Sequence, residues 1–133
     1  MLPAASDNGA VIVTGASSGI GEEIAREFSR RGRHVVLVAR RADKLQTLAT
    51  SLGSRADVVA ADLSKADDRA ALPGRIADLG LVADILVNNA GLSTSGPVAT
   101  SDPAAELNLV EVDVAAVVDL CSRFLPGMVS RGR

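Results

Sequence analysis

The chain has 133 residues, enough for one domain around one sizeable core. Apolar residues make up 47% and charged residues 23%, and the formal net charge of -2 leaves no basic density with which to hold a nucleic acid. No segment reaches the length of an apolar membrane span and the start "MLPAASDNGA" has no basic leader region, so the expectation is a cytoplasmic protein with no membrane or nucleic-acid partner.

The run "AVIVTG" (10–15) predicts a buried strand, and "GIGEEIAREFSRRG" (19–32) a helix. In that helix Ile20, Ile24 and Phe28 recur at four-residue spacing, acids crowd the first turn, arginines crowd the last, and Gly32 ends it. "HVVLVAR" (34–40) predicts a second strand, "ADKLQTLATSLG" (42–53) a second helix, and "ADVVAAD" (56–62) a third strand. A helical stretch follows from Ser64 to Leu79, with an expected interruption at Leu72-Pro73-Gly74. "ADILVNNAG" (83–91) predicts a fourth strand running into a loop. Asp102-Pro103 then reads as an N-cap with proline in the first helical position. The helix beyond, to about residue 131, is expected to bury Leu107, Val110, Val114, Val117, Cys121, Phe124/Leu125 and Met128. Cys121 is accordingly read as a core thiol and His34, at the start of the second strand, as structural. One cysteine and one histidine leave no disulfide and no metal site.

Strands rich in Val and Ile, alternating with helices, imply right-handed βαβ units and a parallel sheet buried on both faces. The expected architecture is an α/β, Rossmann-type doubly wound sheet, here partial, with strand order 3-2-1-4. Its ligand crevice lies at the carboxyl ends of the strands.

"TGASSGIG" (14–21) stands where that crevice opens, between the first strand and the first helix. Free N–H groups and the positive end of a helix dipole suit a phosphate. A P-loop requires a lysine after its last glycine, whereas here Gly21 is followed by Glu22-Glu23. A dinucleotide turn needs no lysine, because the pyrophosphate rests on backbone amides.

The spacing Thr14-Gly15-x-x-x-Gly19-x-Gly21, with "AADLS" after the third strand, "NNAG" (88–91) and the helix ending "FLPGM", resembles the classical short-chain dehydrogenase/reductase family. The resemblance runs from about residue 9 to residue 131 and covers the family's N-terminal, cofactor-binding half. It implies that Gly15, Gly19 and Gly21 form the turn under the pyrophosphate, lined by Ser17, Ser18 and Ile20. It likewise implies that Asp62 meets the adenine amino group with Leu63 beside it. Asn89, Ala90 and Gly91 would run along the adenosine ribose, and Asn88 would brace the central strands. An NAD site places an acid at the end of the second strand; this chain has Ala39 there, followed by Arg40 and Arg41. Arg40 matches the family's marker for the 2′-phosphate, so NADP(H) is expected over NAD(H).

The family's chemistry uses a tyrosine, a lysine four residues later and a serine on a preceding strand. The chain has no tyrosine, and its only lysines, Lys44 and Lys65, lie in the cofactor-binding half. Ser93, Ser95 and Ser101 do not match the catalytic serine. Asp113 occupies the position of the family's catalytic asparagine, which helps to hold a water in a proton relay. The expectation is a single NAD(P)-binding Rossmann domain over residues 1–133, cut short before the catalytic half and inactive alone. The complete protein would transfer hydride between NADPH and a carbonyl or alcohol carbon of a small-molecule substrate. A non-catalytic NADP-binding module is the alternative, and a defective fragment that binds nothing a third. An unpaired fourth strand and an apolar stripe on the long helix predict a homo-oligomer.

Overall fold

The computed structural model describes Leu2 and residues 4–132, so the extreme ends of the 1–133 domain lie outside the described residues. β1 (Gly9–Thr14), α1 (Gly19–Arg30), β2 (His34–Ala39), α2 (Ala42–Leu52), β3 (Ala56–Ala60), α3 (Ala66–Asp78) and β4 (Val82–Val87) alternate in the expected order. The four strands are all parallel and ordered β3-β2-β1-β4, so the sheet is the Rossmann-type half that the sequence predicts.

Alternate residues of the central strands feed two cores. Ile12, Val36 and Val38 pack with Leu72 and Ile76 of α3 on one face, while Val11, Val13, Val35 and Leu37 pack with Ala25, Leu45 and Leu48 on the other. Burial on both faces is why these strands read as continuous apolar runs. β3 and β4 are the edges. No helix among the described residues is long and apolar enough to cross a membrane.

Two expectations about helices fail. α3 runs unbroken through Pro73. Leu72 and Ile76, both fully buried, pin the helix to the sheet on either side of the proline, and this packing outweighs the lost backbone hydrogen bond. The long helix is not one regular element either. It comprises α4 (Pro103–Val110), a π turn (Glu111–Ala115) in which the Ala116 N–H bonds to the Glu111 carbonyl, and α5 (Ala116–Ser130). Asp102 does cap α4, its Oδ1 accepting from the Ala104 N–H at 3.0 Å.

The stripe buried by this helix is Val112, Ala116, Leu120, Phe124 and Met128. Leu107, Val110, Val114 and Leu125 face outward instead, with Leu107 69% exposed, in company with Val118 and Val129. The helix is apolar on two sides, and the core side is the one carrying Ala116, Leu120 and Phe124. Cys121 is half-buried rather than in the core, its Sγ accepting from Asn88 Nδ2 at 3.3 Å.

Candidate functional site

A cleft of about 330 Å³ opens at the carboxyl ends of the strands. Its walls include Gly15, Ser17, Ser18 and Ile20 from the glycine turn, Ala39, Arg40 and Arg41 after β2, and Ala61, Asp62 and Leu63 after β3. Asn89, Ala90, Gly91 and Leu92 after β4, with Val112 from the π turn, complete it. The structure therefore brings together every residue singled out for the cofactor except Gly19 and Gly21, which shape the turn from outside the cleft. Gly15 has φ 66° and a backbone so close to Ala90 that a Cβ would lie 2.8 Å from the Ala90 Cα.

Ser18 stands at the N-cap of α1 in an extended conformation, and its side chain makes no cap hydrogen bond. The amides of the first turn are thus left without a side-chain acceptor, at the positive end of the helix dipole. Glu22, in that same turn, is drawn onto Arg26, whose Nε and Nη2 donate to Glu22 Oε1 at 3.2 and 2.7 Å. An anion approaching the turn meets amides, and the acid of that first turn is paired.

Thr14 binds the turn to the loop after β4. Its buried hydroxyl donates to the Val87 carbonyl at 3.2 Å and accepts from the N–H groups of Asn89 and Ala90, each at 3.0 Å. Asn89 Nδ2 donates in return to the Thr14 carbonyl at 3.0 Å and to the Gly15 carbonyl at 3.4 Å. The brace between the central strands is therefore Asn89, and Asn88 reaches the long helix. Replacing Thr14 by valine keeps the shape and leaves the Ala90 N–H without its acceptor, at about 1–3 kcal/mol, while the Asn89 N–H keeps the Val87 carbonyl at 3.1 Å. The Thr14→Val chain is expected to lose about 1–3 kcal/mol of stability. Denaturant unfolding should be followed by far-ultraviolet circular dichroism, because the chain has neither Trp nor Tyr.

On the other wing, Asp62 Oδ1 accepts from the Ser64 N–H at 3.1 Å and from Ser64 Oγ at 2.7 Å. Partial burial works against the charge on Asp62, but the Ser64 hydrogen bonds and the nearby Arg40 and Lys65 charges outweigh it and hold the carboxyl below its usual range. Arg41 Nη2 donates to Ser17 Oγ at 3.0 Å, tying the end of β2 to the glycine turn. Asp113 sits in the π turn, where its Oδ1 accepts from the Leu92 N–H at 2.8 Å. His34 lies at the opposite end of the sheet, its Nε2 2.6 Å from Asp57 Oδ2.

Sequence reasoning passed over Leu92, Val112 and Ala61 as cleft residues. Arg41 carried a signal, being the second arginine past the missing acid. Leu92 and Val112 carried none, since they are ordinary apolar residues that only the fold brings together.

The fold and the cleft define a doubly wound α/β unit with a glycine turn and an uncapped helix N-terminus at the carboxyl ends of the strands. The sequence model described as "short chain dehydrogenase" matches residues 9–133. The chain belongs to the short chain dehydrogenase family. It is 42% identical over 121 residues to nodulation protein G of Rhizobium sp. (strain N33), a match covering 90% of this chain and 49% of that protein. A metagenomic short-chain oxidoreductase solved in complex with NADP superposes with a TM-score of 0.87 at 39% identity, over 95% of this chain and 59% of that one. L-Sorbose reductase from Gluconobacter frateurii, complexed with NADPH and L-sorbose, gives a TM-score of 0.86 at 37% identity, over 92% of this chain and 48% of that one. The chain spans between 37% and 52% of the length of the curated relatives it matches.

Proposed function

We propose that this chain is an NADP(H)-binding unit of a short-chain oxidoreductase, with residues 1–133 acting as one dinucleotide-binding domain. The observation that carries this reading is the uncapped N-terminus of α1, which opens into a cleft carrying two arginines and no acid at the end of β2. The residues present fit such a group. Gly15, Ser17, Ser18, Gly19, Ile20 and Gly21 would hold the pyrophosphate, and Arg40 with Arg41 the 2′-phosphate. Asp62 and Leu63 would take the adenine, and Asn89, Ala90 and Gly91 the adenosine ribose.

The complete protein would move hydride between the bound nicotinamide and a carbonyl or alcohol carbon of a small molecule. A nucleotide-binding module with no chemistry of its own is the second reading, and the 133 residues themselves hold no tyrosine. The two readings share the site and differ only in turnover.

Preference for NADP(H) tests the assignment at β2. A hydrogen bond to a charged group contributes about 1.5–3 kcal/mol, so affinity for NADPH should exceed that for NADH by about tenfold or more. Replacing Ala39 by Asp together with Arg40 by Ala should erode that ratio toward one in calorimetric titration. Equal affinity of the unmodified chain for the two would remove the basis of the assignment.

Association of two copies through Leu107, Val110, Val114 and Val118 belongs to the same reading, because these exposed side chains form one apolar stripe. Multi-angle light scattering is expected to give at least a dimer mass, and Val114→Lys with Val118→Lys to lower it. A monomer at every concentration would reject this part.

A further inference from the structure

Arg69, in the first turn of α3, is a buried cation with 6% of its surface exposed. Its guanidinium joins three separate pieces of chain. Nη1 donates to the Leu63 carbonyl at 2.8 Å and to Glu111 Oε2 at 3.1 Å, and Nε donates to Asp119 Oδ2 at 3.0 Å. Asp119 is steadied in turn by Arg123, whose Nε reaches its Oδ1 at 2.6 Å. The preceding residue acts on the same loop, Asp68 Oδ2 accepting from the Asp62 N–H at 2.7 Å. Two consecutive side chains of α3 therefore fix the backbone of Asp62 and Leu63, which line the cleft.

Stability alone does not account for this arrangement. A buried charge carries a desolvation cost, and an apolar residue of similar volume commonly packs in its place with no loss. The guanidinium supplies something an apolar side chain cannot, a directional tie between two walls of one cleft. Leu63 stands on one wall and Val112, next to Glu111 in the π turn, on another. Burial opposes the charges, yet the mutual hydrogen bonds outweigh it, raising the pKa of Arg69 and lowering that of Asp119.

We propose that Arg69 is a positioning residue of the nucleotide site, locking the Asp62–Leu63 wall to the π turn through Glu111 and Asp119. The proposal rests on the NADP(H) reading given above for its ligand, and on the three contacts for its mechanics. Asp62 lies within reach of the Arg40 charge, so this wall and the proposed 2′-phosphate site form one wing of the cleft. The tie should govern the adenosine half of the cofactor and leave the nicotinamide half alone.

The test compares the unmodified chain with Arg69→Met and Arg69→Lys, after circular dichroism has shown each to be folded at the temperature used. Adenosine 2′,5′-bisphosphate and reduced nicotinamide mononucleotide serve as separate probes of the two halves. Arg69→Met is expected to weaken the bisphosphate by about tenfold, the scale of one charge-assisted hydrogen bond, with the mononucleotide changed less than about twofold. Arg69→Lys should recover part of the loss. Without any ligand, amide exchange at residues 61–65 and 111–115 should quicken by about tenfold in Arg69→Met while the amides of β2 keep their protection. If Arg69→Met does not fold, Asp119→Asn carries the same comparison with the same directions. Unchanged exchange at 61–65 in a folded variant, or equal weakening of both probes, would overturn the proposal. Should the unmodified chain bind neither probe, the NADP(H) reading falls, and the exchange contrast alone decides whether the tie exists.

Discussion

The 133 residues are expected to give no protein-dependent oxidation of NADPH with any aldehyde, ketone or quinone. Bound NADPH supplies a hydride, but the alkoxide formed from a carbonyl also needs a proton. A positioned acid contributes about 10²–10⁴-fold, and a donor aimed at the developing oxyanion contributes on the order of 10²–10³-fold. No tyrosine is available for either task. The remaining candidates are badly placed. His34 pairs with Asp57 at the far end of the sheet, and Asp113 already accepts the Leu92 N–H. Cys121 is half-buried on α5, against Asn88. The assay follows nicotinamide absorbance, with the L-sorbose reductase as positive control. Turnover that stays with this chain through successive purification steps would contradict the expectation and give the chain a chemistry of its own.

Replacing Gly21 by alanine should be the most damaging single change at the turn. An added Cβ would lie 2.4 Å from the Gly15 carbonyl oxygen and 2.4 Å from Asn89 Nδ2, closer than real Cβ atoms come. The obstacle on one side is backbone, so the turn itself must shift. Overpacking of this kind costs about 1–3 kcal/mol of stability. Displacing even one amide from a phosphate forfeits a charge-assisted hydrogen bond, so NADP⁺ affinity should fall by about tenfold or more. Gly74→Ala is the control, since nothing lies within 4 Å of a Cβ there and the residue is inside α3. That change should be neutral or stabilise by about 0.5–1 kcal/mol. Equal behaviour of the two variants in unfolding and titration would show that the close approach at Gly21 is unimportant.

Much of the fold was legible because its signals are local. Val11 to Val13 and Val35 to Val38 are buried on both faces, and a strand buried that way is written as an unbroken apolar run. The glycine turn was legible for a similar reason, since its backbone conformation and close approaches limit the residues it accepts. What escaped was decided by tertiary contact. Pro73 is tolerated because Leu72 and Ile76 are anchored, which no rule about proline in isolation can reveal. On the long helix Phe124 and Met128 are buried as expected, but Leu107, Val110 and Val114 were misassigned to the core because they are as apolar as the buried Val112 and Leu120. Arg69 was invisible as a structural tie, being one charge among several in α3 with partners 42 and 50 positions away.

The central claim is that the cleft at the carboxyl ends of the strands binds NADP(H), and amide chemical shifts during an NADP⁺ titration test it most directly. Saturable shifts are expected at Gly15 to Gly21, Arg40, Arg41, Asp62, Leu63 and Asn89 to Leu92, with the amides at the His34 end of the sheet unmoved. Absence of saturable shifts, or shifts confined to the outward stripe of Leu107, Val114 and Val118, would contradict it.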